Sequence, residues 1–188
     1  MDEARIYYDE DADLSVLEGR TLAVLGYGNW GSAMAKNLRD TGVGEVVVGN
    51  RDDEYREQAT ADGFDVVPIR EAAARGDVLF MMIPDEVAPT VYESDIAPGL
   101  EDGDLLDFAS GYNITYDLIS PPSEVDVVMV APRVIGSSVR ELYLEDEGFP
   151  SMLAIEQDHT GDAEALCLGI AKALGSTTGG VVETTFDL

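Results

Sequence analysis

The chain has 188 residues, 45% of them hydrophobic, enough for one core of ordinary domain size. Its 38 acidic residues against 11 basic ones give a formal charge of −27, which repels polyanions and excludes nucleic acid and anionic membrane as partners. Only Lys36 and Lys172 are lysines, and acids such as Asp2, Asp53, Glu101 and Asp162 are spread along the whole chain. Such spreading predicts a surface adapted to concentrated salt, as in a halophile, where self-repulsion is screened. The single cysteine, Cys167, forbids an internal disulfide and reads as a small buried hydrophobe. The longest apolar run, Val78 to Ile83, is too short to span a bilayer, and the start Met1-Asp-Glu-Ala has no leader character. The expected setting is cytoplasmic.

After an acidic lead-in over 1–19, strands are predicted at 21–26, 45–49, 64–67, 77–83, 104–109, 125–131, 151–156 and 180–184. Helices are predicted at 30–40, 54–62, 69–75, 113–119 and 162–174. Short β-branched runs alternating with helices give an α/β, Rossmann-like fold: a mainly parallel sheet with helices on both faces, in one domain over 1–188. The breaks at 42–44, 98–99, 121–122 and 179–180 are turns inside that pattern.

The first predicted strand runs into Gly26-Tyr27-Gly28-Asn29-Trp30-Gly31 and then into an amphipathic helix. That order is a dinucleotide-binding fingerprint. Gly26 permits the tight turn, Gly28 lets a pyrophosphate approach the backbone, and Gly31 lets helix and strand pack closely. The new helix offers its free N–H groups to phosphate. About twenty residues on, the second strand ends in Asn50-Arg51-Asp52-Asp53, where such a domain meets the adenosine ribose. Carboxylates there favour the ribose hydroxyls of NADH, whereas Arg51 suits the 2′-phosphate of NADPH; the balance leans to NADH with NADPH open. The same acids also suit the start of a helix. Segments at the carboxyl ends of the next two strands, Ile83-Pro84-Asp85-Glu86-Val87 and Phe108-Ala-Ser110-Gly-Tyr-Asn-Ile-Thr115, are placed to line the crevice. Pro84 serves equally as a helix start.

With these residues placed, the chain resembles the amino-terminal domain of the ketol-acid reductoisomerases over nearly its whole length. The resemblance rests on Ile6-Tyr-Tyr-Asp-Glu-Asp-Ala-Asp-Leu14, Gly26-Tyr-Gly28, Asn37-Leu-Arg-Asp40, Ala61-Asp-Gly-Phe64, Pro84-Asp-Glu-Val87, Asp126-Val-Val-Met-Val-Ala-Pro132 and Val182-Glu-Thr-Thr-Phe186. It implies an NAD(P)H-binding domain of an enzyme of branched-chain amino acid biosynthesis, which shifts an alkyl group in an acetohydroxy acid and reduces the resulting ketone. It further implies a carboxy-terminal helical knotted domain, absent from these residues, that carries the Mg2+ ligands and the homo-oligomer contacts. Cofactor contacts carry over onto Tyr27, Gly28, Asn29, Trp30, Arg51, residues 85–88 and Gly136.

The reacting centre departs from the family pattern. Histidines of a His-Gly-Phe-x-Ile-His stretch are replaced in Ser110-Gly-Tyr-Asn-Ile-Thr115, and Ala-Pro-Lys-x-Pro-Gly-His becomes Ala131-Pro-Arg133-Val-Ile-Gly136-Ser137. Ser110 and Arg133 are the candidates for the catalytic positions, and neither moves a proton near neutrality as imidazole does. General acid–base help is worth ~10²–10⁴-fold. Two alternatives to the full enzyme therefore stand: a non-catalytic or regulatory nucleotide-binding module, and a reductase without isomerase activity. No metal ligands are expected within this chain, and His159 reads as a surface residue.

Overall fold

A computed structural model of the chain describes residues 4–187. Its nine-stranded sheet has the order β1-β9-β8-β7-β6-β5-β2-β3-β4. Six contiguous strands, ending at the β4 edge, are β2 (Thr21–Leu25), β3 (Glu45–Gly49), β4 (Asp65–Val67), β5 (Val78–Met81), β6 (Leu105–Phe108) and β7 (Asp126–Pro132), all parallel. Their order is that of a doubly wound dinucleotide domain, reversing direction between β2 and β5.

Alternation along each strand divides the interior into two layers. Leu22 and Val24 face one core with Val78, Phe80, Leu105 and Val128. There they meet α1 (Asn29–Thr41), α6 (Gly136–Glu145) and α7 (Ala163–Leu174), through Met34, Leu38, Val139 and Leu166. Ala23 and Leu25 face the other core, under Ala72 and Ala73 of α3 (Ile69–Arg75) and Tyr92 and Ile96 beyond α4 (Ala88–Val91). Strands covered on both faces read as unbroken apolar runs, which is why β5, β6 and β7 stand out in the sequence.

The other side of the sheet departs from the parallel pattern. β8 (Ser151–Gln157) runs antiparallel to β7, β9 (Val181–Glu183) lies parallel to β8, and β1 (Ile6–Tyr7) closes the edge antiparallel to β9. Part of the acidic lead-in is thus structural: Ile6 and Tyr7 form β1, and Asp9–Asp11 and Leu14–Leu17 form single 3₁₀ turns. The helix expected over 113–119 shrinks to α5 (Tyr112–Thr115), because Asp117 takes a left-handed conformation and ends it.

The sequence reading did not contain α6. Its opening Gly-Ser-Ser is a poor helix former, and the helix is anchored to α1 through its own Arg140. That guanidinium donates to Asn37 Oδ1 at 2.9 Å and pairs with Asp40 of α1 at 2.5 Å. Cys167 is fully buried on α7, where burial pushes its thiol well up, in keeping with an inert core cysteine.

Candidate functional site

At the carboxyl ends of β2, β3, β5 and β6 lies a cleft of about 950 Å³, at the point where the strand order reverses. The glycine turn forms its floor. Gly26 has φ +103°, and a Cβ there would stand 2.7 Å from the Met82 carbonyl oxygen. Its N–H donates to Gly49 O at 2.8 Å, tying the turn to β3. A Cβ on Gly31 would lie 2.0 Å from Gly26 O, so α1 starts directly against the turn. Gly28, the residue before α1, is different: a Cβ there would meet nothing within 4 Å. Two glycines are required by packing. The third, which lines the cleft, leaves room for a ligand at the helix N-terminus.

Asn50 holds the second wall. Its Oδ1 accepts from Tyr27 N at 3.0 Å, and its Nδ2 donates to Arg51 O at 2.9 Å and Asp53 Oδ1 at 2.8 Å. Asp53 precedes α2 (Glu54–Ala61) and accepts from Tyr55 N at 3.1 Å, so one carboxylate both caps the helix and faces the cleft. Arg51 Nε reaches its other oxygen at 2.6 Å. This guanidinium, with the cap and Asn50 bonds, holds Asp53 below the usual carboxylate range. The sequence left Arg51 and Asp53 as rivals for the ribose end; they are partners. Asp52 is exposed and lies outside the lining.

Tyr27, expected at the cofactor, is part of the cleft lining, but its side chain points into the core. The ring is buried, stacks edge-on to Phe64, and its hydroxyl donates to Asp62 at 2.8 Å. Burial and that carboxylate push the phenol well up. The hydroxyl is therefore engaged in the core, while Asn29 and Trp30 line the cleft at the start of α1.

The opposite end is built by the loops after β5 and β6. Pro84, Asp85, Glu86, Val87 and Ala88 line it on one side, Phe108, Ala109 and Ser110 on the other. Asp85 links the two: its Oδ2 accepts from Ser110 Oγ at 3.2 Å and its Oδ1 from Asn113 Nδ2 at 3.1 Å. Ser110 Oγ in turn accepts from Tyr112 N at 3.3 Å. The sequence named Ser110 and Asp85 separately, and Asn113 only as one residue of the segment 108–115. Asn113 is buried at the cleft wall, and nothing in its own neighbourhood of the chain signals a partner 28 residues away. Behind this loop, Gly111 leaves room for Phe186 O and Thr115 Oγ1 donates to that same oxygen at 2.8 Å, so the end of the chain props the β6 loop.

The two catalytic candidates are not brought together. Ser110 lines the cleft, whereas Arg133 is exposed after β7 and is not part of the lining. Gly136 opens α6 and a Cβ there would lie 2.8 Å from Asn29 O, so α6 rests on the glycine turn from outside the cleft. His159 sits on the surface 2.8 Å from Asp102. Among the described residues no group of three or more His, Cys, Asp or Glu side chains is arranged to hold a metal ion, and no helix is long and apolar enough to cross a membrane.

A cleft with this floor, a carboxylate at one end and polar loops at the other is arranged for a dinucleotide. Comparison with known proteins agrees. Residues 16–180 match the family described as acetohydroxy acid isomeroreductase, NADPH-binding domain. The chain is 52% identical over 184 residues to a ketol-acid reductoisomerase (NADP(+)) of Methanopyrus kandleri, covering 97% of this chain and 56% of that protein. It is 48% identical to the Pyrococcus abyssi counterpart, covering 97% and 55%. A solved structure of an NADH-preferring ketol-acid reductoisomerase from an uncultured archaeon superimposes with a TM-score of 0.95 at 42% identity, covering 97% of this chain and 57% of that one. The chain thus spans a little over half the length of these relatives. It belongs to the ketol-acid reductoisomerase family and corresponds to that family's amino-terminal NAD(P)-binding domain.

Proposed function

We propose that the chain supplies the cofactor-holding half of an NAD(P)H-dependent ketol-acid reductoisomerase-type oxidoreductase acting on an acetohydroxy or 2-keto acid. The observation that carries this reading is the open space at Gly28 inside an otherwise tightly packed glycine turn. Backbone N–H groups at the start of α1 receive the pyrophosphate, Asn50 to Asp53 the adenosine ribose, and the loops at 84–88 and 108–110 the nicotinamide. The reduced nicotinamide supplies the hydride. Ser110 and Asp85 orient the ring and the neighbouring carbonyl; Ser110 already donates its proton to Asp85. Magnesium ligands and the contacts of a homo-oligomer belong to parts of the enzyme outside these residues. The acid-rich surface suits a salt-rich cytoplasm, and melting temperature should climb as KCl is raised from 0.1 to several molar, since screening relieves self-repulsion at formal charge −27. A flat response would remove the halophilic reading.

NADH is the favoured cofactor because Asp53, fixed by Arg51, Asn50 and its own helix, stands where a 2′-phosphate would meet a carboxylate. Fluorescence titration in concentrated salt should give NADH a Kd at least about tenfold below that of NADPH, a difference of about 1.4 kcal/mol. In Asp53→Asn the gap should narrow, as the negative charge is removed and Arg51 released. NADPH binding as tightly as NADH would reverse the assignment, and failure of both to bind would end the dinucleotide reading. A reductase without isomerase activity is the second reading, favoured by one observation: Ser110 contacts a carboxylate and no imidazole. Assay of the full enzyme with acetolactate against a simple 2-keto acid separates the two.

A further inference from the structure

The charge at the two ends of the cleft is handled differently. At the adenosine end Asp53 has Arg51 at 2.6 Å. At the other end, Asp85 takes only neutral donors, the Ser110 hydroxyl and the Asn113 amide, and forms none of the ion pairs found among the described residues. Among the described residues Arg51 is the sole cationic side chain lining the cleft, and it is occupied at the far end. Asp85 and the exposed Glu86 therefore leave the β5–β6 end of the cleft with negative charge that no cationic side chain of the described lining offsets. Hydrogen bonds to both oxygens also fix the Asp85 carboxylate in place. Asn113 is itself buried, so one donor cannot swing away.

A fixed, unpaired carboxylate beside apolar walls is suited to one kind of partner, a cation supplied by the ligand. Resting on the dinucleotide reading above, we propose that Asp85 recognises the positive charge of the oxidised nicotinamide, so that the site binds the oxidised cofactor in preference to the reduced one at the ring. A bound dihydronicotinamide would supply hydride from C4 to a carbonyl carbon, which would leave the ring cationic and the carbonyl oxygen an alkoxide that takes its proton from solvent water. Asp85 stabilises the first of these charges as it develops, which is electrostatic help present in the transition state and weaker in the ground state. Ser110 and Asn113 are positioning residues in this scheme.

The test is equilibrium binding, measured by calorimetry or tryptophan quenching at one fixed salt concentration, with NAD+, NADH and ADP-ribose against the wild type, Asp85→Asn and Asp85→Glu. Asp85→Asn should weaken NAD+ relative to NADH by about tenfold, or about 1.4 kcal/mol, while ADP-ribose, which lacks the ring, keeps its affinity within about twofold. Asp85→Glu, which retains the charge on a longer arm, should hold the NAD+/NADH ratio closer to wild type than Asp85→Asn does. An unchanged ratio in Asp85→Asn, or equal shifts in both variants, overturns the proposal while ADP-ribose binding leaves the dinucleotide reading standing. If the wild type fails to bind ADP-ribose, both fall together.

Discussion

Gly31→Ala is expected to unfold the glycine turn, whereas Gly28→Ala, three residues away, should leave the fold intact and damage binding alone. At Gly31 the added methyl would lie 2.0 Å from Gly26 O and 2.9 Å from its carbonyl carbon. Both are backbone atoms, and Gly26 is itself pinned by Gly49 and by the Met82 carbonyl. Relief requires α1 to move off the sheet, with Met34 and Leu38 leaving the core. Overpacking of a rigid core costs about 1–3 kcal/mol and more where backbone must shift. A loss of at least about 3 kcal/mol is expected, which for a chain of this size is roughly 10 °C in melting temperature. At Gly28 the methyl meets nothing and the backbone has negative φ, so stability should change by less than about 1 kcal/mol. The methyl would, however, project where phosphate must approach, and NADH affinity should fall at least about tenfold. Thermal melts and titrations of the two variants check both halves. Wild-type affinity in Gly28→Ala would mean that the ligand does not pass over the turn, and wild-type stability in Gly31→Ala would refute the contact.

The same contrast explains how much of the molecule could be read in advance. β2, the glycine turn and α1 were legible because each is written in local chemistry: an apolar run, residues able to turn, then helical spacing. The cap at Asp53 was legible for a similar reason, since its partners Tyr55 and Arg51 are two residues away on either side. What escaped depends on distant partners. β1 exists because Ile6 and Tyr7 pair with Val182 and Val181 at the other end of the chain. α6 is held by Arg140 on Asn37 and Asp40, about a hundred residues earlier. Asn113 acquires a role only through Asp85. Family resemblance assigns Tyr27 to the cofactor and the residue lines the cleft, yet its ring turns into the core, because Asp62 and Phe64 lie there to receive it. Resemblance transfers an address, and the packing decides which atoms face the ligand.

Asp107 carries the second large effect, on stability and its pH dependence. Within the apolar run of β6 this aspartate is fully buried, on the face that holds Leu105 and meets α7. Its Oδ1 accepts from Val130 N at 2.9 Å, and its Oδ2 has no hydrogen-bond partner. From α7 the ionisable group that feels it is Cys167, itself pushed up by burial first and then by Asp107. Burial drives the Asp107 carboxyl well above its ordinary value, against the weaker opposite pull of the Val130 N–H. An acid raised in the folded state favours folding in its protonated form. Its contribution is undiminished below the unfolded value of 3.8 and is lost as pH rises above it. Asp104, pushed up to about 6 by burial and by Asp77 and Glu101, acts with the same sign between about 4 and 6. Burial also works against Asp40 and Asp62, but Arg140 and Arg39 hold the first, and Lys36 and Tyr27 the second, below the usual carboxylate range. Those two lose their contribution only as pH falls below about 4, so stability should peak in mild acid and decline towards pH 8. Asp107→Asn removes the titration while its amide oxygen keeps the Val130 bond. It should be more stable than wild type at pH 8, where folding of wild type must take up a proton or bury a charge at Asp107, with the difference mostly gone at pH 4. Denaturant melts of both proteins across that range decide it. A parallel pair of pH profiles would show that Asp107 is solvated in the folded chain, and the decline above pH 6 would then belong to surface repulsion alone, which concentrated salt abolishes and a buried carboxyl does not feel.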